Sequence, residues 1–290
     1  MSGAALPAVA GDMLESLHAH RLLTARQLRT LHAPDAGSRW TEKVMALLLA
    51  AGLVDFVRRG GGARRIYFLT ADGHQALQLG HPHTVGSRRG VDDARHAASA
   101  LSAHTLAVND VGLTFVQAAR ERGDEFGPLA WRHEIAHPIA TTAGRRTELV
   151  IADAVLNYLQ HGTDGSLRFH YRFLELDRAT EPTAALAAKL ARYAQLFTYT
   201  TKNNKEPQWH QTYPVFPEVL VVLTNAPAAA LQRRAQTVLA LCQADALLQA
   251  TPQVAISIVT LDDLLTRGPW APTFQRLHLE QPVTWTGEAT

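Results

Sequence analysis

A single cysteine, Cys242, occurs in 290 residues. That excludes an internal disulfide framework and a cysteine-based zinc site, and it suits a reducing cytoplasm, the expected location. Long hydrophobic runs are absent too. None approaches the roughly 18 residues needed to span a bilayer, and the longest, Val44 to Val54, is broken by Gly52. The N-terminus lacks a charged start followed by an apolar stretch, so no signal peptide is expected. No glycine loop of Walker type appears, which sets aside ATP-driven remodelling, and no serine sits in a nucleophile-elbow context. His81-Pro-His83 has no companions at metal-ligand spacing. What remains is globular: 47% hydrophobic and 19% charged residues exclude wholesale disorder. The length suits two domains of roughly 100–200 residues each.

Net charge is only +2, but it is unevenly placed. Residues 1–90 carry eleven Lys/Arg against six Asp/Glu, a balance of +5, and the rest carry seventeen against twenty, a balance of −3. A basic front on a mildly acidic body is the pattern of a nucleic-acid-reading module fused to something else. Within it, Asp12 to Glu15 and Thr24 to Gln27 each have the spacing of a capping box. Ser38 is placed to cap a third helix running through Val44, Leu47, Leu48 and Ala51 to a stop at Gly52. Leu53–Val57 and Ile66–Leu69 then flank Arg58-Arg-Gly-Gly-Gly-Ala-Arg-Arg65, which predicts a hairpin with a glycine-rich tip. Three helices and a hairpin over residues 11–79 resemble winged helix-turn-helix regulators. In that arrangement the third helix enters the major groove, making Arg39, Trp40 and Lys43 candidates for base or phosphate contact. Arg58, Arg59, Arg64 and Arg65 on the wing are placed to meet backbone phosphates. The expected partner is double-stranded DNA. Dimerisation would fit paired half-sites, although no heptad or exposed apolar stripe shows it. Some winged helices bind protein instead, and that alternative stays open here.

Residues 80–90 hold three glycines and a proline without apolar periodicity and read as a linker. The expected organisation is therefore a DNA-binding domain over 1–79, the linker, and a second domain over 91–290. A helix from about Asp92 to Arg122 carries Leu101, Thr105, Val108, Val111 and Phe115 at helical spacing, with His104 beside the stripe. Strands are expected at Leu129–Ile135, Glu148–Leu159 and Leu167–Asp177, then a helix opened by Pro182 and reaching about Tyr199. A strand at Val219–Leu223, a helix at Ala228–Ala244, a strand at Val254–Val259 and a short helix from Leu261 follow. The fold class is mixed α+β, and this order resembles a restriction-endonuclease-like core with a central mixed sheet flanked by helices. From Pro269 onward only Trp270, Phe274 and Leu277 are expected to pack on the body.

The acids have a geometry of their own. Side chains alternate along Phe173-Leu-Glu-Leu-Asp177, placing Glu175 and Asp177 on one face and Leu174 and Leu176 on the other. Asp153 interrupts the most apolar strand, and if the two strands form a hairpin its carboxylate converges with Glu175. Converging carboxylates need a neutralising cation, and oxygen ligands of this kind suit magnesium or manganese. On the next helix Lys189 shares the apolar side with Leu186, Leu190, Tyr193 and Phe197 and is expected to meet Glu175 or Asp177. In a nuclease such a lysine would orient the attacking water, with the metal held by Asp153 and Glu175 lowering its pKa. Glu175, Asp177, Arg178 and Lys189 can equally neutralise one another without metal. No cofactor is certain; the ion is implied only if Asp153, Glu175, Asp177 and Lys189 are catalytic. Tyr193 and Tyr199 lie near enough to serve as nicking nucleophiles, with core packing the better reading of Tyr193.

Glu175-Leu-Asp177-Arg-Ala-Thr180, followed by Lys189 and Tyr193, resembles the replication-relaxation family of plasmids and other mobile elements. His104-Thr-Leu-Ala-Val-Asn-Asp110, Trp131 with Glu134, and Asp153-Ala154 are similar to its pattern as well, over about residues 11–200. The resemblance implies a role in plasmid replication initiation and DNA relaxation. More distantly, Asp153 and Glu175-x-Asp177 resemble the PD-(D/E)xK nuclease signature, with Asp177 standing where that signature has lysine. An active metal-dependent nickase and a regulatory DNA-binding factor are both compatible with these residues.

Overall fold

The computed structural model describes residues 6–58, 65–80, 91–139, 148–201 and 204–288. The chain divides into two compact units. The first contains residues 1–117 with 127–129, and the second 118–126 with 130–290.

The first unit begins with α1 (Val9–His20), β1 (Leu23–Thr24), α2 (Ala25–His32) and α3 (Ser38–Ala50). The predicted capping box closes α2: Thr24 accepts from the Gln27 amide and Gln27 answers to the Thr24 amide. The other two predicted starts are corrected. Helix α1 opens three residues before Asp12, without a side-chain cap, because the Ala10 amide already reaches the Pro7 carbonyl. Asp12 instead lies in the first turn, where its charge meets the positive end of the helix. For α3 the cap position belongs to Gly37, and Ser38 is the first helical residue. The stop at Gly52 is as expected: φ is +71°, and the Leu53 amide closes back on Leu48.

Strands β2 (Val54–Arg58) and β3 (Arg65–Leu69) pair antiparallel, and β1 adds to β3, giving the order β1-β3-β2. Helix α4 (Ala71–Gly80) follows, an element that apolar periodicity does not predict. Its signal is faint because Gly73 is its main buried residue; a Cβ there would fall 2.0 Å from the Leu53 carbonyl oxygen. The expected linker at 81–90 lies outside the described residues. Helix α5 (Val91–Arg122) then supplies the buried Thr105, Val108, Val111 and Phe115 of the expected stripe, with His104 only half-buried.

The expected domain boundary is corrected at this helix. Asn109, fully buried, donates to the Leu22 carbonyl at 2.8 Å, and Asp110 accepts from Gln27 at 3.0 Å and Arg26 at 2.8 Å. Those bonds tie α5 as far as Gln117 into the unit formed by the first three helices. A glycine-rich stretch marks where a chain can bend, and it says nothing about which side a following helix packs on.

The second unit is a six-stranded mixed sheet. Strands β4 (Trp131–Ile139), β5 (Glu148–His161) and β6 (Leu167–Asp177) form an antiparallel meander. Helix α6 (Thr183–Thr198) is followed by a short pair, β7 (Thr200–Thr201) with β8 (Asn204–Pro207), and then by β9 (Glu218–Leu223), parallel to β6. Helices α7 (Ala228–Ala244) and α8 (Ala246–Ala250) lead to β10 (Ile256–Thr260), parallel to β9. Helix α9 (Leu261–Arg267) and β11 (Gln275–Arg276) finish the order β11-β10-β9-β6-β5-β4. Phe173, Leu190, Tyr193, Val221 and Val238 are among the core residues joining the sheet to α6 and α7. Among the described residues no helix is long and apolar enough to cross a membrane.

Strand β5 is irregular at its middle. Strict alternation would put Val150 and Ala152 on the face opposite Val155, yet all three belong to one core cluster. The ring of His137, register partner of Val150, lies 4.9 Å from the ring of Phe173, register partner of Val155. The face therefore switches near Asp153. There the rung between β4 and β5 is missing at Glu134, whose φ is +50°.

Candidate functional site

In the first unit, α3 buries Thr41, Val44, Met45 and Leu48 and turns Arg39, Trp40 and Lys43 to solvent. An exposed tryptophan flanked by two exposed cations is an unusual use of a large apolar surface. On the hairpin, Arg58 and Arg65 are register partners, both exposed. Their guanidinium carbons lie 5.7 and 4.6 Å from the Phe56 ring centroid, so one aromatic ring holds two cations. Like charges directly opposite on a hairpin repel, and among the described residues no carboxylate pairs with either. Arg59 and Arg64 lie outside the described residues.

The second unit brings the acids together as the alternation predicted. Glu175 is buried on β6, and its two oxygens accept from Lys189 Nζ and from the Tyr193 hydroxyl, both on α6. Asp153 Oδ1 stands 3.9 Å from the same ammonium, while Oδ2 accepts the Leu176 amide at 2.7 Å. That bond occurs just past Ala154↔Leu174, where the register of β5 with β6 ends. The Asp153 carboxylate thus replaces a main-chain acceptor where the strands part. Burial, and then the charge of Asp153, push the Glu175 carboxyl up to about 7, against the opposing pull of Lys189 and Tyr193. Burial likewise raises the Tyr193 hydroxyl well above its ordinary value.

Asp177 leaves this cluster. It shares the face of Glu175 but is engaged by Arg234 of α7, whose Nη2 donates to Oδ1 at 3.0 Å and whose Nε donates to Oδ2. Both side chains are 11% exposed. Arg178 offers its carbonyl to Asn225, so the neutralising guanidinium is not the one the sequence suggested. Arg234 was detectable, since it lies at helical spacing with the buried Leu231, Ala235, Val238 and Cys242. Tyr193 packs in the core as expected and, beyond that, its hydroxyl fixes Glu175. Tyr199 caps the far end of α6.

A resident divalent ion does not fit these residues as they stand. Each oxygen of Asp153 and Glu175 already faces a protein donor or the Lys189 ammonium. Among the described residues no three His, Cys, Asp or Glu side chains are grouped to hold a metal.

The replication-relaxation family matches residues 14–209, more than half of the chain. The chain belongs to that family. The match takes in the three helices, the hairpin, α5 and the Asp153, Glu175 and Lys189 cluster, so the family pattern spans parts of both units. No curated protein matches. Among solved structures, the restriction endonuclease FokI bound to DNA aligns with 11% identity over 90% of this chain and 44% of its own, at a TM-score of 0.28. The chain therefore spans less than half of that enzyme. So loose an overlay carries no argument, and the mixed α+β architecture of this replication-relaxation protein rests on its own strand pairings.

Proposed function

We propose that this protein is a duplex-DNA-binding factor in the replication or relaxation of a plasmid or other mobile element, docking through its first unit as a winged helix. The carrying observation is the opposed Arg58 and Arg65 over the ring of Phe56. Two like charges held face to face are costly alone and become favourable once a phosphate lies between or beside them. The outward face of α3 supplies the second contact, with Arg39 and Lys43 for the groove walls and Trp40 between them.

The test is binding of a fluorescent duplex measured against salt concentration. Each neutralised phosphate contributes about −0.9 to the slope of log affinity on log salt, so Arg58→Ala with Arg65→Ala is expected to reduce the slope by about 1.8. Undetectable binding by the wild type, or an unchanged slope, would transfer the module to protein recognition.

The convergence of Asp153, Glu175 and Lys189 favours a second reading, a metal-dependent nickase from which the Arg234 pairing withdraws Asp177. Supercoiled plasmid incubated with Mg²⁺ or Mn²⁺ discriminates. The docking reading expects bound but unnicked DNA. Nicking that needs the ion and vanishes in both Asp153→Asn and Glu175→Gln, which keep an oxygen for the Leu176 amide and the Tyr193 hydroxyl, would make the second unit the working part.

A further inference from the structure

We infer that Lys189 is a tethered counter-ion holding the place of a divalent cation, so that the Asp153–Glu175 pair becomes a metal site once the lysine is removed. The Lys189 ammonium meets both carboxylates: it donates to Glu175 Oε2 and lies 3.9 Å from Asp153 Oδ1. Those two oxygens come from adjacent strands just past the last register pair, Ala154↔Leu174, and Asp153 is anchored from behind by the Leu176 amide. Glu175 is anchored in the same way by the Tyr193 hydroxyl. Taking away the ammonium therefore leaves two oriented oxygens and an ammonium-sized gap, with no slack for them to turn aside.

Two carboxylates and several waters are the usual set for Mg²⁺ or Mn²⁺ in a protein. Water can reach the place: the Lys189 side chain is 35% exposed and that of Asp153 is 21% exposed. With the lysine present, an incoming ion meets a fixed positive charge within contact distance. At an effective dielectric near 20 that repulsion is enough to weaken binding by roughly a hundredfold or more. Docking of DNA by the first unit plays no part in this, and the readout is ion binding rather than cleavage.

The experiment titrates the full chain with Mn²⁺ and follows the electron paramagnetic resonance signal of the free ion together with thermal unfolding. Wild type, Lys189→Ala and Lys189→Met are compared; the methionine variant keeps the stem packed if the alanine variant proves unstable. Both lysine variants are expected to bind Mn²⁺ about a hundredfold more tightly than wild type and to melt higher as Mn²⁺ rises. Adding Glu175→Gln is expected to abolish that gain. A wild type that binds Mn²⁺ as tightly as the variants, and loses it in Asp153→Asn, would overturn the role given to Lys189. So would a folded lysine variant that gains no affinity.

Discussion

Arg234→Ala is expected to destabilise the second unit by about 3–5 kcal/mol, because it takes the charge partner from a nearly buried Asp177 carboxylate that keeps the Ala179 amide. Both partners are 11% exposed, so water can do little to rescue the abandoned charge. For a chain of this size the loss corresponds to a melting temperature lower by roughly 10 °C. The pair is two-pronged, Nε and Nη2 each meeting one oxygen of Asp177, so Arg234→Lys restores the charge without the fork and is expected to recover only part of the loss. Removing both partners together, with Asp177→Leu beside Arg234→Met, is expected to cost less than Arg234→Ala alone. Urea unfolding of the three variants measures all of these differences. A loss below about 1 kcal/mol for Arg234→Ala would show the pair to be effectively solvated.

The second large effect is acid lability. His20 is fully buried and donates from Nε2 to the Pro128 carbonyl, which places a proton on that nitrogen. Burial pulls its pKa down to about 4, outweighing the Pro128 bond, while His32 adds a smaller downward push. Burial also brings His137 and His170 to about 4. In the unfolded chain a histidine takes its proton near pH 6.5. The unfolded state therefore binds protons first as pH falls, and the stability these rings contribute is complete above about 6.5 and lost progressively down to about 4. For His20 alone the loss approaches about 3 kcal/mol. Glu175 works in the opposite direction, since its folded pKa near 7 makes the folded state the better proton acceptor between the unfolded carboxyl range and 7. Three rings against one carboxyl leave net acid destabilisation. Melting temperatures between pH 7.5 and pH 4.5 should fall, and His20→Asn, which keeps an amide donor for Pro128 without titrating, should flatten the profile by about one proton. A flat wild-type profile would mean that these histidines are hydrated.

Much of this architecture was legible from local rules. Thr24 and Gln27 lie three apart and close their box, and Leu167–Asp177 and Ala228–Ala244 form the strand and helix that period alone predicts. Glu175 and Lys189 meet because alternation on a strand and spacing on a helix both hold there. The failures share a cause, which is that each depends on something distant in the chain. Nothing near Asp177 announces Arg234, 57 residues away. Asn109 and Asp110 read as motif residues, and their work is to bond the Leu22 carbonyl between the first two helices and the Gln27 side chain on the second. Asp153 reads as a polar interruption of an apolar strand, because period-two alternation assumes an unbroken ladder. The strand instead changes face at that point.

That change of face alters what a mutation at 153 can mean. The Asp153 carboxylate has two separable duties, an oxygen for the Leu176 amide and a negative charge for Lys189. Asparagine retains the oxygen and discards the charge, whereas alanine discards both and leaves an amide unanswered where two strands diverge. A loss of function in Asp153→Ala is therefore ambiguous between broken chemistry and a loosened sheet. The difference between wild type and the asparagine variant reports on the charge, the difference between asparagine and alanine on the oxygen, and at this position the two substitutions are different experiments.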